Sequence, residues 1–465
     1  MNDARAPEFD CAIIGGGFTG LAAATELLRL GRSVIVLEKE RELGGLASGF
    51  DVGGYELERF YHHWFTNDLY VPELAAEIGA QHKVVTRKSS TGMFYAGDFF
   101  RLSTPMDLLR FKAIPFGDRI RTGLATLWVR TIKDWMALEE VTAKQWLIQL
   151  FGQNAYRVIW EPLLIGKFGA HADTISAVWF WNKLTLRGAS RSKDGGEKLA
   201  YYLGGFAEFA RNIGDYIRAH GGVIRLGVGA SKVRCGQVGR VHVETGKGEV
   251  VARSALLTTP MPLAADILDA PARYKDELRT IKYIGNVCLV LELDRSLSDQ
   301  YWTNVNDPSF PFVGVIEHTN FEPTSSYGGR HIVYLSKYLP VEEPLYNMDA
   351  DAALAFAAPH LKRMFPGFDA AWVKRAYVWR APYAQPLVVK HYSKLVPGFE
   401  TPLANVFIAT MAQVYPEDRG TNYAIREGRK AGQKIDAKLN AVASAGDADA
   451  ESVLEQRQQG VAADE

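Results

Sequence analysis

The chain has 465 residues, which at roughly 100–200 residues per domain allows two or three compact units. Hydrophobic residues make up 47% and charged residues 23%, so the composition is that of a folded protein and excludes wholesale disorder. The 53 basic and 53 acidic side chains cancel, which excludes a global field that would select nucleic acid, and the three cysteines fit neither a disulfide framework nor a zinc site. With no secretory signal pattern and no run of about 18 apolar residues, we expect a cytoplasmic protein.

The first elements along the chain form a βαβ pattern. Phe9–Ile14 is an apolar strand, 21–30 is rich in the helix formers Ala and Leu, and 33–37 is a second apolar strand that ends at Glu38. Between the first strand and the helix three glycines follow the spacing G-x-G-x-x-G, namely Gly15, Gly17 and Gly20. The combination is typical of a dinucleotide-binding unit.

Each part of this pattern has a physical reason. Gly15 permits the tight turn, Gly17 allows the backbone to approach a pyrophosphate, and Gly20 lets the helix pack closely on the strand. The helix N-terminus faces the negative charge. Glu38 can accept hydrogen bonds from ribose hydroxyls and would repel a 2′-phosphate.

The residues after Glu38 separate flavin from nicotinamide enzymes. Lys39 follows directly, and the pair Gly44-Gly45 comes soon afterwards. This arrangement resembles the flavin amine oxidase superfamily, which includes amine oxidases, protoporphyrinogen oxidases, phytoene-type desaturases and, more distantly, UDP-galactopyranose mutases. The resemblance implies FAD, with Lys39, Gly44 and Gly45 among its contacts.

Two later segments support the same resemblance. A strand beginning near Ala230 would contact the adenine, and the start of a C-terminal helix would lie against the pyrimidine edge of the flavin, where its dipole stabilises negative charge. That helix start contains Arg419, Gly420, Thr421 and Asn422. The usual Gly-Asp after the preceding strand is replaced by Thr410-Met411, which puts one ribityl or pyrophosphate contact in doubt.

The resemblance also implies a fold class and a division of the chain. The fold is α/β, with a Rossmann-type FAD-binding domain assembled from the discontinuous segments 1–70, 200–265 and 400–440. A helical insertion, 71–199, and a mixed segment, 266–399, together form a substrate domain of antiparallel sheet and helices. The Ala-, Asp- and Gln-rich segment 441–465 is predicted to be a disordered tail.

Candidate catalytic residues are fewer. His62 and His63 follow the segment expected beside the flavin, where they could hydrogen-bond the ring or a polar substrate, or be structural. Tyr383 stands where amine oxidases place an aromatic residue against the substrate, but without an aromatic partner in the sequence. Because no cysteine follows Cys288, a C-terminal thioether link to the flavin is impossible. We expect noncovalent FAD, although a link through either histidine stays open.

Two further stretches have both a functional and a structural interpretation. The helical stretch that ends at Lys167, with Arg187 and Arg191 downstream, is either a cationic wall for an anionic substrate or a packed helix end. Residues 110–133 contain six basic residues and one acid, with apolar residues between them. They form either a peripheral contact with the inner face of the membrane or an ordinary amphipathic helix packed on the core.

The sequence therefore predicts an FAD-dependent oxidoreductase, similar to protoporphyrinogen oxidases and amine oxidases, that takes a hydride from an activated C–H bond of a small organic substrate onto flavin N5. Three alternatives stay open. They are a phytoene-type desaturase, a redox-neutral sugar-nucleotide mutase or isomerase using Arg187 and Arg191 for a diphosphate, and a flavoprotein scaffold without turnover.

Overall fold

The computed structural model describes residues 8–101, 104–189, 197–236 and 239–461, with side chains throughout except at 186–189, 197 and 443–461. Its strands are β1 (Phe9–Ile14), β2 (Val34–Glu38), β3 (Gly49–Val52), β4 (Tyr55–Glu58), β5 (Trp64–Phe65), β6 (Val84–Ser89), β7 (Thr91–Tyr95), β8 (Asp98–Arg101), β9 (Glu197–Tyr202), β10 (Val223–Leu226), β11 (Ala230–Cys235), β12 (Val241–Thr245), β13 (Gly248–Leu257), β14 (Tyr283–Leu293), β15 (Trp302–Val305), β16 (Gly314–Glu317), β17 (His331–Leu339), β18 (Val373–Pro386) and β19 (Val406–Ile408).

The helices surround these strands. They are α1 (Phe18–Arg29), α2 (Tyr70–Glu77), α3 (Pro105–Arg110), α4 (Phe116–Val129), α5 (Ala143–Phe151), α6 (Gln153–Ala155), α7 (Glu161–Phe168), α8 (Ala177–Ala189), α9 (Gly205–Ala219), α10 (Met261–Ile267), α11 (Ala272–Thr280), α12 (Pro344–Asn347), α13 (Ala350–Met364), α14 (Tyr392–Leu395) and α15 (Thr421–Val461). A π-helical turn, Tyr156–Trp160, joins α6 to α7.

The first sheet has the order β10-β2-β1-β13-β12-β11, and β19 pairs with the end of β13. Strands β10, β2, β1, β13 and β19 are parallel, whereas β12 pairs antiparallel with both β13 and β11. The central strands β1, β2 and β19 and the second half of β13 are largely buried and apolar because helices cover them, whereas the edge strand β10 is partly exposed. Three distant stretches of the chain contribute these strands, so the predicted α/β fold with a discontinuous Rossmann-type sheet is confirmed. The predicted domain boundaries stay predictions.

Helix α15 joins the C-terminal segment to this sheet by packing along α1. A Cβ atom on Gly428 would lie 2.3 Å from the carbonyl oxygen of Thr19, so only glycine allows the two backbones to come this close. The helix continues to Val461, and its backbone thus differs from the disorder predicted for most of 441–465. The composition of that segment predicted disorder, but its Ala, Glu and Gln residues are also good helix formers.

The second sheet has the order β18-β14-β17-β16-β15-β7-β8 and is antiparallel except for the β15–β7 pair. Helix α13 covers one face of it and buries Ala357 and Leu361 against the strands. Strands β6, β7 and β8 belong to the first insertion, so the prediction of a mainly helical 71–199 was wrong for 84–101, whereas α2 and α3 on either side are helices. The missed signal is a hairpin turn at Ala96-Gly97, where both residues have positive φ.

No helix among the described residues is long and apolar enough to cross a membrane.

Candidate functional site

The glycine loop after β1 is shaped so that larger residues cannot replace Gly15 and Gly20. Gly15 has a φ of +113°, and a Cβ atom there would lie 2.4 Å from Oγ1 of Thr258. A Cβ atom on Gly20 would lie 2.0 Å from the carbonyl oxygen of Gly15. The loop therefore turns tightly and α1 begins directly against it, as the spacing predicts.

Glu38 anchors the other side of this loop. Its side chain is buried, and its two oxygens accept hydrogen bonds from the N–H groups of Gly16, at 2.6 Å, and Glu40, at 2.8 Å. These bonds fix the carboxylate while leaving further lone pairs for ribose hydroxyls.

The start of α1 is open toward this carboxylate. Gly17 provides no side-chain cap, and a Cβ atom placed on it would have only one neighbour within 4 Å, the Cα atom of Gly45 at 4.0 Å. The backbone N–H groups of the first turn thus face a space that a pyrophosphate can enter, and the helix dipole favours its charge.

The second glycine pair forms part of the same cradle. The N–H group of Gly44 donates to the carbonyl oxygen of Gly16 at 2.9 Å, and Gly44 and Gly17 form a parallel bridge. Gly44 and Gly45 both have positive φ, at +108° and +59°, which favours glycine at these positions. The two glycine motifs, separated in sequence by a strand and a helix, therefore face one another.

The segment before β11 lies beside Glu38. The N–H groups of Gly227 and Val228 donate to the carbonyl oxygens of Glu40 and Glu38, each at 2.8 Å. Ala230 begins the strand two residues later, directly after Gly229, where a Cβ atom would lie 3.3 Å from Cβ of Lys39. The structure thus gathers the residues predicted to hold the adenosine end of FAD, and this end of the cradle fits a dinucleotide. Their individual contacts stay predictions.

Thr410, which replaces the glycine of the family's usual Gly-Asp pair, has a structural role. Its hydroxyl accepts from the N–H of Ala412 while its own N–H donates to Oε1 of Gln413, so the side chain caps a short helical turn. Thr410 is buried and engaged with the protein. The next residue, Met411, stands where the resemblance would place an aspartate and offers no carboxylate.

The helix start at Arg419–Asn422 has two kinds of contact. The side-chain oxygen of Asn422 accepts from the N–H groups of Tyr70, at 2.9 Å, and Val71, at 3.4 Å, and so connects α15 to the start of α2. The guanidinium of Arg419 donates to the hydroxyl of Tyr338 at 3.1 Å. Its Nε atom is buried and has no partner among the described residues. An unsatisfied buried donor of this kind fits a cofactor or substrate acceptor.

Asp418, directly before that helix start, is the centre of a buried polar cluster. One face of α8 contacts it three times: Nε1 of Trp179 donates to Oδ1 at 3.0 Å, Nζ of Lys183 lies 2.5 Å from Oδ2, and Oδ1 of Asn182 accepts from the Asp418 N–H at 3.1 Å. The spacing of these three residues places them on one side of the helix. Gln385, at the end of β18, donates to Oδ1 at 3.2 Å.

A second lysine completes what we call the cationic cluster, which consists of Lys167, Lys183 and Arg419 around Asp418. Nζ of Lys167 lies 3.8 Å from Oδ2 of Asp418 and 5.3 Å from the centre of the Tyr338 ring. Burial would raise the pKa of Asp418, but Lys183, Lys167 and Arg419 together hold it below its usual value. The carboxylate therefore stays ionised, and the cluster carries net positive charge.

His62 lies near this cluster. Its Nδ1–H donates to the carbonyl oxygen of Phe60 at 2.5 Å, and its ring packs on Phe206. Burial lowers the pKa of His62 to about 4. The hydrogen bond to Phe60 acts to raise this pKa, whereas the positive charge of Arg419 acts to lower it. At neutral pH the imidazole is thus uncharged, with its Nδ1 proton already committed to the backbone.

The other two catalytic candidates lie in different surroundings. His63 packs among aromatic rings, and its Nδ1 lies 2.9 Å from the hydroxyl of Tyr301. Tyr383 is half-buried and makes an edge-to-face contact with Tyr283, whose hydroxyl accepts from the N–H of Met261 at 3.3 Å. None of the hydrogen bonds among the described residues joins Tyr383 to His62 or to the cationic cluster. The aromatic ring in contact with Tyr383 is that of Tyr283, and a substrate contact of Tyr383 stays a prediction.

Sequence reasoning missed Asp418 and Lys183. The Trp179–Lys183 spacing was the available signal, but nothing in the sequence indicates that this helix face meets a loop near the C-terminus. Lys167 was interpreted either as part of a cationic wall or as a packed helix end, and the structure places its ammonium group 3.8 Å from Oδ2 of Asp418. Of its predicted companions, Arg191 lies outside the described residues, as does the side chain of Arg187.

The comparisons with known proteins agree with this geometry. The family model described as "Flavin containing amine oxidoreductase" matches residues 18–435. The chain belongs to this family, and it is therefore a flavin-dependent oxidoreductase. The predicted resemblance to the flavin amine oxidase superfamily is confirmed.

Individual relatives are distant. A zeta-carotene desaturase, assigned as probable, from Synechococcus elongatus is 26% identical over 239 residues, which cover 46% of this chain and 49% of the relative. The chain thus matches about half the length of that relative. Among solved structures, a protein provisionally assigned as a protoporphyrinogen oxidase from Exiguobacterium sp. 255-15 has a TM-score of 0.73 at 16% identity, with 92% of this chain and 98% of that one covered. Cyclohexylamine oxidase from Brevibacterium oxydans has a TM-score of 0.69 at 16% identity, with 93% and 100% covered. At these identities the structures show the shared fold.

Proposed function

We propose that this flavin-dependent oxidoreductase holds FAD noncovalently and oxidises a small organic substrate at a C–H bond activated by a neighbouring nitrogen or double bond. The observation that carries the proposal is the cradle formed by Gly15, Gly17, Glu38 and Gly44, at the start of the helix α1 along which α15 packs. When bound, FAD supplies the hydride acceptor, flavin N5.

The residues of the chain have separate tasks in this proposal. Glu38 accepts hydrogen bonds from the ribose, and the N–H groups after Gly17 bind the pyrophosphate. The positive end of the α15 dipole and Arg419 favour negative charge at the far end of the cofactor. Neutral His62, with its Nδ1 proton donated to Phe60, orients its other ring nitrogen as a hydrogen-bond acceptor.

The charge of the site limits the substrate. Three cationic side chains, Lys167, Lys183 and Arg419, outnumber the two carboxylates Asp418 and Asp68. Asp68 lies within the field of Lys183, and although burial raises its pKa to about 6, it is ionised at neutral pH. A protonated amine would meet net repulsion here, whereas a carboxylate would be attracted. We therefore propose a substrate that carries a carboxylate, as tetrapyrroles do, in preference to a cationic amine.

Two measurements test the cofactor assignment and the class of reaction. Acid precipitation of the yellow protein should release all of the flavin into the supernatant with the mass of FAD. Flavin retained in the pellet would instead indicate a covalent link, with His62 and His63 as the candidate positions. After anaerobic reduction and mixing with air-saturated buffer, recovery of the flavin absorbance within seconds indicates an oxidase, whereas slow recovery indicates another electron acceptor.

The substrate proposal is tested with matched ligands. Protoporphyrinogen and its dimethyl ester share the reacting carbon atoms but differ in charge, so the free acid should have a KM at least about tenfold lower. Arg419→Gln, assayed at saturating FAD, should raise the KM for the acid and leave that for the ester unchanged. The exposed-site variant Lys144→Met is the control. Faster turnover of primary amines than of either tetrapyrrole would contradict the proposal.

The similarity to the zeta-carotene desaturase favours a second candidate function, the desaturation of an extended apolar polyene. Slow reoxidation by oxygen together with turnover in the presence of a quinone would support it. The redox-neutral alternative depended on Arg187 and Arg191, whose side chains lie outside the described residues.

A further inference from the structure

Helix α4 presents its large apolar side chains to solvent. Leu124 is 64%, Leu127 61% and Trp128 54% exposed, and the same stripe continues toward the start of the helix. We refer to these residues as the α4 face: Phe116, Ile120, Leu124, Leu127 and Trp128. They recur every three or four residues and thus form one contiguous side of the helix.

The opposite side of α4 is the one that packs on the protein. Thr122, Ala125 and Val129 are buried there, and the helix contacts α5, α6 and α8. Small side chains therefore face the core while Phe, Leu and Trp face outward. This inverts the usual arrangement of an amphipathic surface helix, so packing within the monomer does not explain the α4 face.

Basic residues surround the α4 face. Arg110, Lys112, Arg130 and Lys133 are exposed, and within the described part of the chain none of them forms an ion pair. Arg121 is also exposed, although its guanidinium donates to the carbonyl oxygens of Gln149 and Leu150. Asp118, the acid on the same helix, accepts from the side chain of Asn154. An apolar strip edged by uncompensated positive charge is the result.

We propose that the α4 face docks on the surface of an anionic lipid bilayer. Aromatic and leucine side chains would enter the boundary between head groups and acyl chains, while the surrounding arginines and lysines contact lipid phosphates. The charge distribution decides against a second copy of the chain. In a symmetric contact the same basic residues would meet each other across the interface, which is unfavourable.

The proposal places the membrane close to the functional site. Helix α4 packs against α8, and α8 carries Trp179 and Lys183 of the site. In this arrangement α4 lies between the bilayer surface and α8, which suits a substrate that dissolves in lipid. The docking itself does not depend on which reaction the site performs.

The test is co-sedimentation of the full-length, FAD-loaded protein with vesicles. Vesicles of phosphatidylcholine with one third phosphatidylglycerol should bind the protein at low salt, and pure phosphatidylcholine should bind at least about tenfold less. The combined variant Leu124→Asp, Trp128→Asp should reduce the bound fraction at least about tenfold, since it removes two large apolar side chains from the contact. Replacing Arg130 and Lys133 by Gln should weaken binding to the anionic vesicles and reduce its salt dependence.

A matched control carries the same substitutions elsewhere. Leu395 and Val442 are also exposed, at 42% and 53%, and lie outside the insertion, so Leu395→Asp with Val442→Asp should bind vesicles as the wild type does. Flavin absorbance and circular dichroism check that each variant is folded. Equal binding by the α4 variant and the wild type would overturn the proposal. So would an absence of vesicle binding combined with a dimer that the α4 variant dissociates, since the face would then belong to a second copy.

Discussion

Nζ of Lys183 and Oδ2 of Asp418 lie 2.5 Å apart, which joins a helix of the insertion to the loop that starts the C-terminal helix. Asp418 is buried, whereas Lys183 is about one third exposed. A buried carboxylate is stable only when its charge is compensated, so this contact fixes α8 against the predicted flavin edge of the site.

Removing this lysine should destabilise the protein. Lys183→Met leaves Asp418 buried with Lys167 as its remaining nearby lysine, and we expect the free energy of unfolding to fall by about 2 kcal/mol. Denaturant unfolding of the FAD-loaded protein measures it. As a control, Lys144→Met breaks an exposed pair of 2.9 Å with Asp173 and should cost less than about 1 kcal/mol. An equal decrease in the free energy of unfolding in both variants would show that the burial of Asp418 does not increase the cost of removing its lysine partner.

Gly17→Val should separate folding from cofactor binding. A side chain at Gly17 meets only open space and the distant Cα atom of Gly45, and the φ of −75° is ordinary, so the fold should persist. The valine would occupy the space that the pyrophosphate enters, and flavin occupancy should fall at least about tenfold. Absorbance at 450 nm relative to 280 nm reports occupancy. Gly398→Val, also at an open position, should retain full flavin.

His62 should make the protein less stable in mild acid. Its pKa is about 4 in the folded chain and about 6.5 when unfolded, so its contribution to stability is complete above pH 6.5 and is lost as the pH falls toward 4. Because the ring is half-buried, we expect about 1–2 kcal/mol after discounting for solvent screening. The difference in unfolding free energy between the wild type and His62→Gln, compared at pH 7.5 and pH 4.5, measures this contribution. A difference that does not change with pH would contradict the prediction.

Asp68 should have the opposite pH dependence. Burial raises the pKa of Asp68 to about 6, although the hydrogen bond from the N–H of Phe65 and the positive charge of Lys183 both act to lower it. The contribution of Asp68 is therefore present below pH 3.8 and is lost as the pH rises through 6. The free energy of unfolding of Asp68→Asn, relative to that of the wild type, should therefore rise by about 1 kcal/mol from pH 4.5 to pH 7.5. Asp173→Asn, at an exposed site, should show no such gain.

The sequence alone determined the cofactor cradle, because its parts are local. The G-x-G-x-x-G loop, α1 and Glu38 lie within one βαβ unit, where glycine conformation and strand periodicity leave few other arrangements. The helix that starts at Thr421 was predictable for the same reason. Hairpin β7–β8 could also have been predicted, since Ala96-Gly97 is a local turn signal.

Only the tertiary structure decided the cationic cluster and the α4 face. Lys183, Gln385 and Asp418 come from three distant segments, and the pairing of a buried charge depends on which surfaces meet, which no local periodicity encodes. Likewise, the spacing of Leu124 and Trp128 predicts one apolar side on α4 but not whether that side packs inward. The small residues on the opposite side of α4 contact the other helices of the insertion, and the large apolar residues are exposed to solvent.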